Sequence, residues 1–151
     1  MKLIFLVFLC ATFVLSARAE NTTNVYLLST CSTDRTTAYK FEIPRSKFGN
    51  LAEWTPSSSS IPLQPQRAAQ LALKRYRSLY PSANTAFVLG FTLTPLEGTH
   101  FKKWMYWVNF SASEDGSIKL PAKAAECLVV LLDGTVVDPV VDPEPKASCI
   151  P

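Results

Sequence analysis

The stretch Trp104-Met105-Tyr106-Trp107-Val108-Asn109-Phe110 decides the fold. Successive side chains of a strand point to opposite faces. Trp104, Tyr106, Val108 and Phe110 therefore face one way, and Met105, Trp107 and Asn109 the other. Both sides carry bulky apolar groups, so the spacing predicts a central strand of an antiparallel sheet. A helix can cover one side. The other is covered by residues 24–54 or left as an aromatic patch, and patches of that kind mark binding surfaces.

Upstream, Phe87, Leu89, Phe91 and Leu93 alternate with Val88, Gly90, Thr92 and Thr94, which predicts a second strand. Pro95 to Lys103 reads as the loop joining these antiparallel neighbours. Downstream, Glu114-Asp115-Gly116 reads as a turn. Cys127 to Leu132 reads as a buried strand, and Asp133-Gly134 as a two-residue hairpin link, both positions at positive φ, leading to Thr135-Val136-Val137. Past Asp138 the Val-Asp-Pro repeat (Val137-Asp138-Pro139, Val141-Asp142-Pro143) predicts an extended, polyproline-like tail without regular pairing.

Ahead of the strands lies the clearest helix. Pro65 suits a first turn, because its missing N–H would have no partner there, and Pro81 stops the segment. Ala68, Leu71, Ala72, Tyr76 and Leu79 share one face; Arg67, Gln70, Lys74 and Arg77 share the other, with Arg75 near its edge. That basic side is a solvated face or a contact surface for an acidic partner. Earlier still, Val25 to Leu28 and Tyr39 to Ile43 read as short strands, and Pro44 ends the second. Residues 44–64, with the run Ser57 to Ser60, read as a long loop pinned by Trp54.

The N-terminus reads as an export signal: Lys2, an apolar run from Leu3 to Leu15, and Ala17-Arg18-Ala19 as a cleavage site. The run is too short for a membrane span, which takes about 20 apolar residues. Cleavage after Ala19 makes the protein secreted or periplasmic. The leader takes Lys2 and Arg18 out of 15 basic residues, leaving 13 against 12 acidic ones, a net charge near +1. That balance excludes a nucleic-acid footprint.

The chemistry-bearing residues are few. Cys31, Cys127 and Cys149 survive cleavage, and in an oxidising compartment they predict one disulfide and one leftover thiol, in any of three pairings. A bridge involving Cys149 would tie down the tail. The spacings resemble no metal motif, and His100 is the only histidine, so neither a metal nor a cofactor is implied. The scattered groups open to an enzyme, such as a small hydrolase, are His100, Asp115, Asp133 and Cys127, and no spacing links them. Sequons stand at Asn21 and Asn109; the second lies inside the predicted central strand, a poor place for a glycan.

The reading is thus an α+β chain: one long helix packed on a 3–5-stranded antiparallel sheet. Residues 1–19 are the leader, 20–64 N-terminal strands and loop, 65–138 the helix-and-sheet core, and 139–151 the Pro-rich tail. The helix Arg67 to Tyr80, the alternating strand, the form Trp104-x-Tyr106-x-Val108-x-Phe110 and the closing strand with Asp133-Gly134 resemble small extracytoplasmic PepSY-type, cystatin-like domains of bacteria. The likeness spans roughly residues 62–137. The forty or so residues ahead of the helix and the cysteines lie outside its pattern, and no Gln-x-Val-x-Gly wedge of a true cystatin inhibitor is present. The resemblance implies a non-catalytic role in binding or restraining partners such as exported peptidases. The expected function is therefore a secreted, non-enzymatic domain. It binds a protein or peptide partner through an aromatic sheet face, with Met105, Trp107 and Trp54 as binding residues.

Overall fold

A computed structural model of the chain describes residues 24–58, 60–96, 98–99, 102–113 and 119–143. The predicted leader, His100, Asp115 and Cys149 lie outside the described residues. The elements run β1 (Asn24–Cys31), β2 (Ala38–Pro44), α1 (Arg45–Gly49), α2 (Pro65–Leu79), β3 (Phe87–Pro95), β4 (Trp104–Ser111), β5 (Cys127–Leu131), β6 (Val136–Val137) and β7 (Val140–Val141). The fold is α+β with two antiparallel sheets, ordered β3-β4-β5-β6 and β1-β2-β7.

β4 is central, as its alternation requires. It pairs with β3 on one side (Thr92 opposite Trp107, Leu93 opposite Tyr106) and with β5 on the other (Val108 opposite Leu128, Tyr106 opposite Val130). Its Tyr106, Val108 and Phe110 face α2, where Ala68, Ala72 and Tyr76 are fully buried. The small alanines let the helix approach closely, and Tyr76 fills the remaining space by stacking on Phe110 at 4.0 Å between ring centroids. Tyr106 donates its hydroxyl to the carbonyl of Leu63 at 2.8 Å, which ties the chain entering α2 to the sheet. The polar face of α2 is spent partly on structure: Arg75 makes a two-pronged ion pair with Asp138, and Arg77 donates to the carbonyl of Ala86.

The opposite face of the four-stranded sheet, bearing Met105, Trp107, Val129 and Leu131, is covered by β1 and β2. Phe41 and Ile43 of β2 are buried in the same core. The layers are therefore helix, sheet, sheet, and the N-terminal strands form a second sheet rather than an appendage to one. Ser32 bridges to Ala125, and Glu126 N–H donates to the Cys31 carbonyl, so the two sheets are stitched where β1 ends and β5 begins.

Three expectations are corrected. The supposed loop 44–64 contains α1, which follows directly from Pro44; Lys103 donates its ammonium to the carbonyls of Phe48, Gly49 and Leu51, a cation at a helix C-terminus. The tail is not free of regular pairing: Val140 and Val141 lie opposite Lys40 and Tyr39 as β7. A strand of two residues at a sheet edge tolerates Pro139 and Pro143 because neither proline occupies a paired position. The Asp133-Gly134 hairpin is real but its link has three residues. Leu131 N–H donates to Thr135 O and Gly134 N–H to Leu131 O; Gly134 alone is at positive φ (86°), and Asp133 Oδ1 accepts Thr135 N–H. That is a three-residue loop with a bulge, which wants glycine at the left-handed position only.

Candidate binding cleft

The two sheets do not end alike on their two sides. On one side the outer strands are β6 and β7, two residues each, separated by Asp138 and Pro139 and followed by Asp142 and Pro143. Short length, prolines and charges are the ordinary protections of a sheet edge. On the other side the outer strands are β1 (NVYLLSTC) and β3 (FVLGFTLTP), eight and nine residues long without a single charged side chain. Each has one bulge near its start, between Tyr26 and Leu28 and between Val88 and Gly90. β3 also exposes Leu89 (67 %) and Phe91 (45 %).

Between these two strands the sandwich opens into a cleft of about 470 Å³. Residues 25–29 of β1 form one wall, Thr92 and Thr94 of β3 the other, and Met105 and Trp107 of β4 the floor; Phe48 closes one end. Because residues 92 and 94 are threonines, the β3 wall is thin and the floor of β4 is reached from outside. Among the described residues, no Asp, Glu, Lys, Arg or His lines the cleft. Its volume is that of a site for a small ligand or for a few side chains of a larger one.

Met105 and Trp107 thus meet in this cleft, as their shared face requires. They are not an open patch: Met105 is 3 % exposed, and Trp107 is half-buried, because β1 and β2 lie over them. Trp54 is elsewhere. Its backbone N–H donates to Lys102 O, and its ring meets Trp104 edge-on at 5.4 Å, at the end of β4 rather than in the cleft. It pins the loop, and it does not join the other two binding candidates.

The cysteines separate into two kinds. Cys127 is a free thiol, fully buried where β5 faces β1. Burial pushes its pKa up to about 12, offset only in part by the Thr30 and Trp107 side chains that face the sulfur. The indole N–H of Trp107 is buried there without closing a hydrogen bond of ordinary geometry. A thiol so held is inert as a nucleophile. Cys31, at the end of β1, is disulfide-bonded, so the bridge does not use Cys127.

Of the groups considered for an enzyme, the two that are described, Cys127 and Asp133, are not brought together. Cys127 and Asp133 stand at opposite ends of β5; Asp133 is exposed, caps the hairpin and lies 4.0 Å from Lys47. Among the described residues no three His, Cys, Asp or Glu side chains cluster in a way that could hold a metal ion, and no helix is long and apolar enough to cross a membrane.

The signal that sequence reasoning passed over was the lack of charge along two whole strands. Alternation names the faces of β4; the uncharged edges of β1 and β3 say where the sandwich is open. No protein-family model, no curated protein and no solved structure matches the chain.

Proposed function

We propose that the protein is an exported, non-enzymatic binding domain that takes a segment of a protein or peptide partner into the cleft between β1 and β3. The single observation that carries this reading is the contrast between the two sides of the sandwich. One side is short, proline-flanked and charged; the other presents two long uncharged strands over an apolar floor. Apolar, aromatic-floored depressions of this kind are where interface energy concentrates. The resemblance to PepSY-type domains agrees with a binding role and rests on fold-level analogy.

Trp107→Ala is a poor test, because half of that side chain belongs to the core. Thr92 is exposed on the cleft wall, so Thr92→Lys brings a charge to the cleft and leaves the core untouched. With the mature chain as bait on the extracellular fraction of its source, Thr92→Lys is expected to reduce capture of the retained partner at least tenfold. Its thermal midpoint should stay close to the parent's, as for surface substitutions generally. Arg67→Glu, on the outer face of α2, should capture as the parent does. Equal capture by Thr92→Lys would remove the cleft from the account.

The tail is part of the same proposal. Asp142 N–H donates to Ala38 O at 2.9 Å, and Ala38 lies opposite Cys31, so the chain leaves β7 heading along the strand that neighbours Cys31. Seven further residues, at up to about 3.4 Å each, are ample to reach it. We therefore assign Cys149 as the partner of Cys31 in the exported protein. Peptide mapping of the mature chain without reduction should yield a Cys31–Cys149 linked pair and an alkylatable Cys127 only after denaturation; a linked Cys127 would contradict the assignment.

A further inference from the structure

We infer that the bound segment enters as an added strand on β3, extended and antiparallel or parallel to it, with apolar side chains at every second position and no charge at those positions. This rests on the cleft being the binding surface and adds how the occupant is held. Three features carry it.

First, the four-stranded sheet ends at β3, and among the described residues no strand pairs with its outer edge. From Gly90 to Pro95 its pairing with β4 is unbroken, so the outward-pointing backbone groups of this stretch, Pro95 N excepted, form a regular row with no strand partner among the described residues. A partner strand completes that row, the mode of recognition in which main-chain hydrogen bonds give affinity and alternate side chains give selectivity.

Second, geometry fixes which side chains enter. A strand beside β3 has alternate residues on the face of Thr92 and Thr94. That face is the cleft wall, and the space over Met105 and Trp107 lies directly inward of it. The residues between them fall on the other face, beside Phe91, whose ring is 45 % exposed and already meets Tyr106 edge-on at 6.1 Å.

Third, the lining fixes their chemistry. With no formal charge among the described lining residues, a charge carried into the cleft would be desolvated without a counterpart among them. The hydroxyls of Ser29, Thr92 and Thr94 suit neutral polar or apolar groups, and the floor suits an aromatic ring or a branched aliphatic.

The test uses the mature chain and the capped heptapeptide Ac-Ser-Val-Thr-Phe-Thr-Val-Ser-NH2, whose Val, Phe and Val fall on one face. Two companions accompany it: one with N-methyl groups on alternate amides along a single edge, and one with lysine in place of the central phenylalanine. Amide shifts are followed by heteronuclear NMR. The parent peptide should move the amides of Gly90 to Thr94, and each companion should bind at least tenfold more weakly. Each backbone hydrogen bond lost is a several-fold effect, and the methyl groups remove two or three. Equal binding of the N-methylated peptide, or shifts confined to β1, would overturn strand addition. No binding by any peptide, while Thr92→Lys still abolishes capture of the secreted partner, would overturn it too and leave the cleft reading standing. A dimer in sedimentation with β3 amides protected would replace the partner strand by a second copy of this chain.

Discussion

Tyr76→Ala is expected to destabilise the domain by about 3–5 kcal/mol, the cost of removing a large aromatic side chain from a core that cannot collapse around the hole. Tyr76 is fully buried, stacks on Phe110 at 4.0 Å and meets Tyr80 at 4.9 Å, so it is the residue through which α2 grips the four-stranded sheet. A domain of this size has about 5–15 kcal/mol in all, so the variant should lose a large share of its stability in urea titration. Tyr76→Phe should behave in the opposite way. The Tyr76 hydroxyl is buried with no hydrogen-bond partner, and burial holds its pKa well above the usual tyrosine range. Deleting that oxygen keeps the stacked ring and removes an unpaired polar group, so stability should hold or rise by about 1 kcal/mol. A loss of more than about 1 kcal/mol in Tyr76→Phe would mean that the hydroxyl is bonded in solution.

The second large effect is alkaline. Cys127 titrates near 12 when folded, about three units above its unfolded value of about 9, because burial between the sheets penalises the thiolate. In the unfolded chain the thiol loses its proton at the lower pH. Above that point the unfolded state binds fewer protons than the folded one, and stability falls as pH rises. The contribution is fully present below about pH 9 and lost progressively between about pH 9 and pH 12. Three units correspond to at most about 4 kcal/mol. Tyr39, Tyr76, Tyr80 and Tyr106 are all shifted upward, chiefly by burial, and add in the same direction from about pH 10. Urea midpoints at pH 7 and pH 11 should therefore differ strongly in the parent chain and less in Cys127→Ala. An identical fall in both would show that the thiol is not held as described.

These effects arise in a core whose main features the sequence makes legible. Trp104 to Phe110 has bulk on both faces, and that pattern has no home except a middle strand, so β4, its neighbours and the helix from Pro65 follow from alternation and spacing alone. What alternation cannot supply is the identity of the cover. Met105 and Trp107 could have met solvent, a partner or the N-terminal strands, and only the packing of β1 and β2 decides among them. The second sheet is not legible because β1 and β2 are separated from the core in sequence and their sheet is completed by Val140 and Val141, two residues enclosed by prolines. α1 escaped because five residues with one apolar side chain have no periodicity; Lys103, more than fifty residues away, holds its end. The hairpin loop was misjudged by one residue, since Asp-Gly serves both the two-residue turn and the bulged three-residue loop, and only the backbone hydrogen bonds separate them.

The candidate site was legible in the same partial way. Met105 and Trp107 belong together because they are two apart on one strand; Trp54 is an aromatic of similar appearance whose neighbour, Trp104, belongs to another part of the surface. The predicted leader, His100 and Asp115 lie outside the described residues. Cys127, the thiol available to an enzymatic reading, is buried against Thr30 and Trp107, away from the open side of the sandwich.

Hydrogen–deuterium exchange of the mature chain, alone and with its captured partner, tests the central claim most directly. Exchange reports which backbone amides a partner covers, and edge-strand amides exchange readily when nothing pairs with them. The account predicts slowed exchange along β3, strongest from Gly90 to Thr94, with smaller protection across the cleft in β1 and no change in β6, β7 or the outer face of α2. Protection of α2 around Arg67, Lys74 and Arg77, with β1 and β3 unaltered, would contradict it.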